Sequence, residues 1–145
     1  MGQAADGSVA AAGLVRVAAL EALVWHWGDA YDIGLCDGTW WFQRRDGYGG
    51  RETAASSEAL RGAIIQNYMH RPVRREIATQ VQERRDRYEV AGVRIWHDPG
   101  GWHARWAVDH AYTGITRPDL IALLDRLDKL KENAAKWLAE RTDKP

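Results

Sequence analysis

Two short tryptophan-bearing segments constrain the fold of this chain more than any other feature. The first, "CDGTWWFQRR", covers residues 36–45, and the second, "DPGGWHARW", covers residues 98–106. In each segment a turn signal precedes residues that alternate along the chain, which is typical of a β-hairpin. Trp40 and Trp102 hold matching places in the two segments. The sequence therefore predicts that one hairpin is built twice.

Helical patterns flank both hairpins in the same order. Before the first hairpin, apolar residues recur at helical spacing, at Val17, Leu20, Val24 and Trp27. Ser56 is a typical N-cap for the helix that follows, and a second helix–strand–helix series runs from about Arg74 to the C-terminus. We therefore predict an α+β fold with an internal repeat of two α-β-β-β-α units. Each unit has an antiparallel three-stranded sheet with helices on one face, and the second ends in a long helix.

The boundaries of the repeat divide the chain into three parts. Residues 1–13 are small and polar without periodicity, and we expect a disordered lead-in there. The first unit spans 14–72 and the second spans 73–145. At 145 residues the chain is long enough to bury a core, so we expect the two units to pack together as one compact protein.

The register of the second hairpin is open from local sequence alone. Pro99-Gly100 favours a type II turn, whereas a bulge at Gly101 suits a three-residue loop, and the two choices exchange the faces of one strand. The first hairpin decides between them, because Asp37-Gly38 places Leu35 opposite Trp40. By analogy His97 pairs with Trp102. The outward residues are then Arg94, Trp96, His103 and Arg105.

Charge and cysteine content narrow the classes of function. Twenty basic residues balance twenty acidic ones, so the chain as a whole has no general attraction for nucleic acid or anionic lipid. Cys36 is the only cysteine, which excludes an intrachain disulfide and a thiolate metal cluster. The sequence shows neither a signal peptide nor a membrane-spanning segment, so we expect a cytoplasmic protein with no membrane partner.

The outward aromatic residues suggest a binding surface. Trp and Arg are frequent at protein-binding hot spots, and the same pair also suits base stacking beside phosphate. The alternative is that another element covers these tryptophans as core. We predict a non-enzymatic protein-binding or assembly module whose binding residues are Trp41, Arg94, Trp96, His103 and Arg105.

The C-terminal helix offers a second predicted surface. Leucines and other apolar residues hold a/d positions from Leu120 to Trp137, beyond what one sheet needs for cover. A homodimer through residues 120–138 is therefore a hypothesis, which a concentration-independent monomer mass would exclude.

A central arginine run supports the alternative function, an accessory protein that binds nucleic acid. Acidic residues interleave the run, and such mixed charge is more typical of a solvated helix face. The predicted contact residues of this alternative are Arg71, Arg74, Arg75, Arg84, Arg85 and Arg87, together with Trp96 and Arg105.

No pattern in the sequence indicates catalysis or metal binding. His97, Asp98, His103, Asp109 and His110 crowd the second hairpin, but their spacing matches no zinc signature. We therefore expect no metal site and no cofactor, and we do not expect an enzyme.

The chain resembles a group of small uncharacterised actinomycete proteins. The resemblance rests on "WGDAYDI" at 27–33, on the tryptophan hairpin, and on "SSEALRGAI" followed by "RPV". These proteins share a W-G-x-A-Y-D-I, W-x-x-R hairpin and S-x-x-x-L…P-V order, and they carry no known activity to transfer. The order helix, three strands, helix is also similar to that of double-stranded-RNA-binding domains. That similarity is one of topology only. The final helix of such domains starts with basic, lysine-bearing residues, and this start is absent here, where the sequence reads Thr116-Arg117-Pro118-Asp119.

Overall fold

The computed structural model describes the backbone of residues 2–142 and the side chains of residues 11–141. The fold is α+β, as predicted, with two three-stranded antiparallel sheets in the orders β1-β2-β3 and β4-β5-β6. The elements of the described chain are α1 (Gly2–Trp27), β1 (Tyr31–Cys36), β2 (Thr39–Arg44), β3 (Glu52–Ala54), α2 (Ser57–His70), α3 (Arg75–Val90), β4 (Arg94–Asp98), β5 (Gly101–Val108), β6 (Ala111–Arg117) and α4 (Leu120–Thr142). This order is the predicted α-β-β-β-α series followed twice.

The first hairpin has the predicted turn and register. Asp37 and Gly38 have φ values of 50° and 77°, which a type I′ turn requires at both central residues. Leu35 pairs with Trp40 across this turn, so Trp40 faces the core. The inner residues of this hairpin pack with α1 and α2 in one apolar cluster, whose buried members include Leu23, Trp40, Phe42, Leu60 and Ile64.

The second hairpin follows the register that the repeat predicts. His97 pairs with Trp102, and Asp98 with Gly101. The positive φ of 120° belongs to Gly101 and not to Gly100, so the turn is not type II. Trp102 is 2% exposed and therefore faces the core of its sheet.

The chain forms two compact units whose boundary differs from the predicted one. One unit contains the chain up to Asp46 and Arg51–Thr79; the other contains Gly47–Gly50 and the chain from Gln80 onward. The division therefore lies within α3 and not at 72/73. The physical reason is that α3 continues without a helix breaker, and its Ala78 is buried in the core of the first unit. We call these the first unit and the second unit.

The loop Gly47–Gly50 belongs to the second unit because it meets the start of α4. The carbonyl oxygen of Gly47 accepts a hydrogen bond of 2.9 Å from the amide of Ile121. A side chain at Gly47 would bring a Cβ atom to 2.8 Å from Ile121, and its φ of 81° also favours glycine. Asp119 caps the same helix end by accepting from the amide of Ala122 at 2.8 Å.

Helix α1 differs from the sequence prediction in where it begins and in which of its residues are buried. The expected disordered lead-in at 1–13 is wrong from Gly2 onward, because the structure places residues 2–13 within α1. Alanine, the strongest helix former, is abundant in this stretch and extends the helix. The buried stripe also differs, since Leu23 is 6% exposed whereas Val17 and Val24 are 52% and 46% exposed.

A polar cluster lies inside the first unit, around Arg44. This guanidinium is 7% exposed and forms two hydrogen bonds with Asp46, of 3.0 and 2.6 Å. Its Nη1 donates to Asn67 Oδ1 and to the carbonyl oxygen of Arg71, both at 2.7 Å. Tyr31 donates its hydroxyl to the same Asn67 oxygen at 2.7 Å. The cluster thus joins β1 to α2 through a neutral hydrogen bond and β2 to α2 through a charged one.

Tyr31 in this cluster predicts that the first unit loses stability at high pH. Burial raises the pKa of Tyr31 to about 12 from a usual value of 10.0, and nearby Asp46 and Glu52 add to the shift while Arg44 opposes it. The neutral phenol is favoured in the folded state, so this contribution to stability is complete below pH 10 and is lost as the pH rises towards 12. In an ultraviolet titration, Tyr31→Phe should remove one late-titrating tyrosine. An unchanged number of late-titrating tyrosines in that variant would contradict this assignment.

Candidate functional site

The outer face of the second sheet brings four of the predicted binding residues together. Arg94 pairs with Arg105, and Trp96 pairs with His103, on neighbouring strands β4 and β5. Since side chains alternate along a strand, all four point to the same side of the sheet, opposite the buried Ile95, Trp102 and Ala104. We call this surface the Trp96 face, which comprises Arg94, Trp96, Asp98, His103, Arg105, Tyr112, Gly114 and Thr116.

His103 is held rigidly on the Trp96 face. Its Nε2 donates to Asp98 Oδ1 at 2.6 Å, and its Nδ1 lies 2.8 Å from Thr116 Oγ1. The imidazole stacks on the indole of Trp96, with ring centroids 5.1 Å apart. The hydrogen bond from His103 lowers the pKa of Asp98, and the amide of Gly100 also donates to that carboxylate at 2.8 Å. Both rings are therefore oriented before any partner binds.

Two arginines on the Trp96 face are positioned by aromatic rings. Arg94 Cζ lies 5.1 Å from the ring centroid of Trp96, and Arg105 Cζ lies 4.4 Å from that of Tyr112. Neither arginine forms a salt bridge with any residue whose side chain the structure describes. Like charges directly opposite each other in a sheet repel. The pair is therefore a local excess of positive charge beside aromatic surface.

A shallow hollow of about 200 Å³ lies in the same face. Gly114 pairs with Arg105 and contributes no side chain, so the hollow lies between the neighbouring side chains of β6. Its polar and aromatic lining comes from Trp96, His103, Arg105, Tyr112, Thr113 and Thr116. A partner's side chain entering this hollow would meet an aromatic ring, a guanidinium and a hydroxyl within a small volume.

Sequence reasoning missed four members of this site, one of which is Gly114. Tyr112, Thr116 and Asp98 belong to the Trp96 face, and Tyr112 is 68% exposed. Alternation along the third strand was the available signal, since Tyr112 and Thr116 lie an even number of residues apart. The sequence around Asp98 predicted only a turn, because its hydrogen bond with His103 depends on the register of the hairpin.

Trp41 does not belong to this site, because it lies in the first unit. Its ring lies across Gly34, the residue opposite it on β1, where an added Cβ would approach the ring to 2.5 Å. The guanidinium of Arg51 covers the ring at 3.8 Å from its centroid. Trp41 is therefore a half-buried packing residue of the first sheet.

The six central arginines differ in exposure and in partners. Arg84 binds Asp125 at 2.9 Å and Asp128 at 2.8 Å within the second unit. Arg85 binds Glu89 at 2.8 Å and the carbonyl oxygen of Ile95 at 3.2 Å. The arginines with exposed side chains are Arg71, Arg74, Arg75 and Arg87, of which Arg75 lies 3.4 Å from Asp29. Two of the six are thus engaged in holding the second unit together.

The leucine side of helix α4 is buried along the first half of the helix, and the apolar residues of the second half are exposed. Leu120, Leu123 and Leu127 are at most 4% exposed, because α4 packs on β5 and β6. Trp137 and Leu138 are 55% and 58% exposed. The predicted contact segment 120–138 is therefore corrected: its leucines from Leu120 to Leu127 belong to the core of the second unit, and large apolar side chains are exposed only further on, at Trp137 and Leu138, within the described part of α4.

The first unit has two larger grooves, both of which share His26 and Trp27. One of about 620 Å³ lies between α1 and α2, and one of about 500 Å³ is lined by Tyr68, Arg74 and Arg75. Neither groove brings together a set of residues with catalytic geometry. Among the described residues no group of three or more His, Cys, Asp or Glu side chains could hold a metal ion.

Comparison with known proteins gives no relative from which a function could be transferred. No family model, curated protein or solved structure matches the chain. Within the described part of the chain, no helix has the length and apolar character to span a bilayer.

Proposed function

We propose that this protein is a non-enzymatic binding module that recognises another protein through the Trp96 face. The observation that supports the proposal is the fixed stack of Trp96 on His103, beside two arginines that lack a described ionic partner. Trp, Tyr and Arg dominate the energy of protein interfaces. Because the hydrogen bonds of His103 already order these rings, little side-chain entropy remains to be lost on binding.

A polypeptide fits this surface better than a nucleic acid does. The chain has no net charge, so a polyanion gains little from the field of the whole molecule. The central arginines, which the nucleic-acid alternative requires, include Arg84 and Arg85 with their intramolecular partners. The Trp96 face itself is small and mixed in character, as a peptide-binding hot spot is.

Selection from a random peptide display library tests this proposal. We expect peptides enriched on the wild-type protein to lose at least tenfold in affinity for Trp96→Ala, which corresponds to about 1.4 kcal/mol. The matched control is Trp25→Ala, because Trp25 is 86% exposed on α1 and lies outside the Trp96 face. It should retain the peptides.

Two outcomes would overturn the proposal. One is that no peptide is enriched, or that the enriched peptides bind Trp96→Ala and the wild type equally. The other is that single- or double-stranded oligonucleotides bind at low salt with a steep salt dependence that Arg74→Ala/Arg75→Ala reduces. The second outcome would favour the nucleic-acid function instead.

Self-association through the accessible end of α4 is a separate part of the assembly hypothesis. It is supported by the exposure of Trp137, which continues the leucine stripe beyond the buried half of the helix. The contact is limited to residues 131–141, about three turns, so a dimer formed through it alone would be weak.

A further inference from the structure

We infer that the hollow of the Trp96 face binds a carboxylate, so that the partner is an acidic peptide segment. This inference rests on the proposed function and names the chemistry of the partner. It starts from Arg105, which lines the hollow, and from Arg94, the residue paired with it on β4; neither forms a salt bridge with a described side chain. A carboxylate bound in the hollow would gain charge-assisted hydrogen bonds from the Arg105 guanidinium and would offset the positive charge that Arg94 adds on the neighbouring strand.

Asp98, the carboxylate residue of the Trp96 face, does not neutralise Arg94 and Arg105. Asp98 is engaged by His103 and by the amide of Gly100, at the turn end of the hairpin. Asp98 and Arg94 are four residues apart along β4, a separation of about 13 Å at the usual rise of a strand. The positive pair therefore lies at one end of the face, and the satisfied carboxylate lies at the other.

The surroundings of Arg105 favour an acid carried on a short side chain or a chain end. Its guanidinium lies over Tyr112, with Cζ 4.4 Å from the ring centroid, and it forms no salt bridge with a described side chain. A planar fork of this kind matches the two oxygens of a carboxylate. The hollow of about 200 Å³ has room for such a group and a few methylenes, but not for a helix.

Small aromatic acids test the site without a known partner. The probes are phenylacetate, the neutral phenylacetamide and phenyl phosphate, followed by NMR at the backbone amides of Arg105 and Gly114. We expect phenylacetate to shift these signals saturably and to bind at least tenfold more tightly than phenylacetamide. Phenylacetamide binding as tightly as phenylacetate would overturn the inference, and so would a preference confined to phenyl phosphate.

Substitutions of the two arginines test whether the carboxylate of phenylacetate binds at the Trp96 face. Arg105→Gln should weaken phenylacetate binding about tenfold, and Arg94→Gln should weaken it less, because Arg105 lines the hollow and Arg94 does not. Arg105→Lys should also weaken it less, because the charge remains while the fork is lost. Arg45→Gln is the control, since Arg45 is an exposed arginine of the first unit, in the turn that follows β2. Unchanged affinity in both glutamine variants, with amide spectra that show them folded, would overturn the site.

The peptide selection separates this inference from the proposed function. Enriched peptides that depend on Trp96 and carry Asp, Glu or a required free C-terminus support both ideas, and amidated peptides distinguish the chain end from the side chain. Peptides that depend on Trp96 without any acidic preference would overturn the carboxylate and leave the protein-binding function standing. Phenylacetate binding without any enriched peptide would overturn the protein-binding function and leave the carboxylate site standing.

Discussion

Replacing Arg44 with methionine is expected to lower the free energy of unfolding of the first unit by about 3–5 kcal/mol. The substitution keeps a long aliphatic side chain but removes every donor that Asp46 and Asn67 receive from the guanidinium. Asp46 is 4% exposed, so its buried carboxylate would lose both hydrogen bonds from the Arg44 guanidinium. Urea titration followed by NMR measures the loss, because it reports the amide signals of each unit separately.

The adjacent residue provides the control for this experiment. Arg45 also has a carboxylate partner, Asp32 at 3.1 Å, but both side chains are about 40% exposed. An exposed ion pair of this kind contributes about 0–1 kcal/mol, so Arg45→Met should leave the unfolding midpoint nearly unchanged. Equal losses for Arg44→Met and Arg45→Met would show that the buried cluster does not stabilise the first unit.

Replacing Trp102 with alanine is expected to cost about 3–5 kcal/mol in the second unit. Trp102 is 2% exposed, meets the ring of His97 edge-on at 5.2 Å, and has Arg85 over its indole at 5.5 Å. Its Nε1 has no hydrogen-bond partner among the described residues. The expected loss is therefore one of apolar packing, and the same NMR-detected urea titration measures it.

Two further variants identify packing as the cause. Trp102→Phe should cost less than Trp102→Ala, because a large ring remains and an unpaired buried N–H group is removed. Trp25→Ala makes the same alanine substitution at an 86% exposed position and should stay within about 0.5 kcal/mol of the wild type. A loss at Trp102 as small as the loss at Trp25 would contradict its assignment to the core.

Local sequence specified the fold wherever a turn or an alternation determined the geometry. Asp37-Gly38 fixed the first hairpin, and its analogy with the second placed Trp96 and His103 on one face. That analogy succeeded although the two turns differ, because register depends on which residues pair and not on the turn alone. The Trp96 face was predictable for the same reason.

Contacts between residues distant in sequence escaped prediction. Trp41 was predicted as a binding residue, but Arg51, which directly precedes β3, covers its ring. The local sequence around Arg84 does not distinguish it from an exposed arginine. Only the fold shows that Asp125 and Asp128 lie beside it. The extent of α1 was missed for a different reason: alanine favours a helix without producing the apolar periodicity used to find one.

The loop Gly47–Gly50 determines how this protein could be divided experimentally. The second unit takes these residues from the middle of the first, and the carbonyl of Gly47 satisfies an amide at the start of α4. A fragment that begins at residue 80 would lack this acceptor, whatever the quality of its own core. Likewise, a protease cut after Gly50 would separate the loop from β3 while leaving it attached to β2. The repeat is therefore linear in sequence, but the two units cannot be expressed as two uninterrupted halves without removing part of the second.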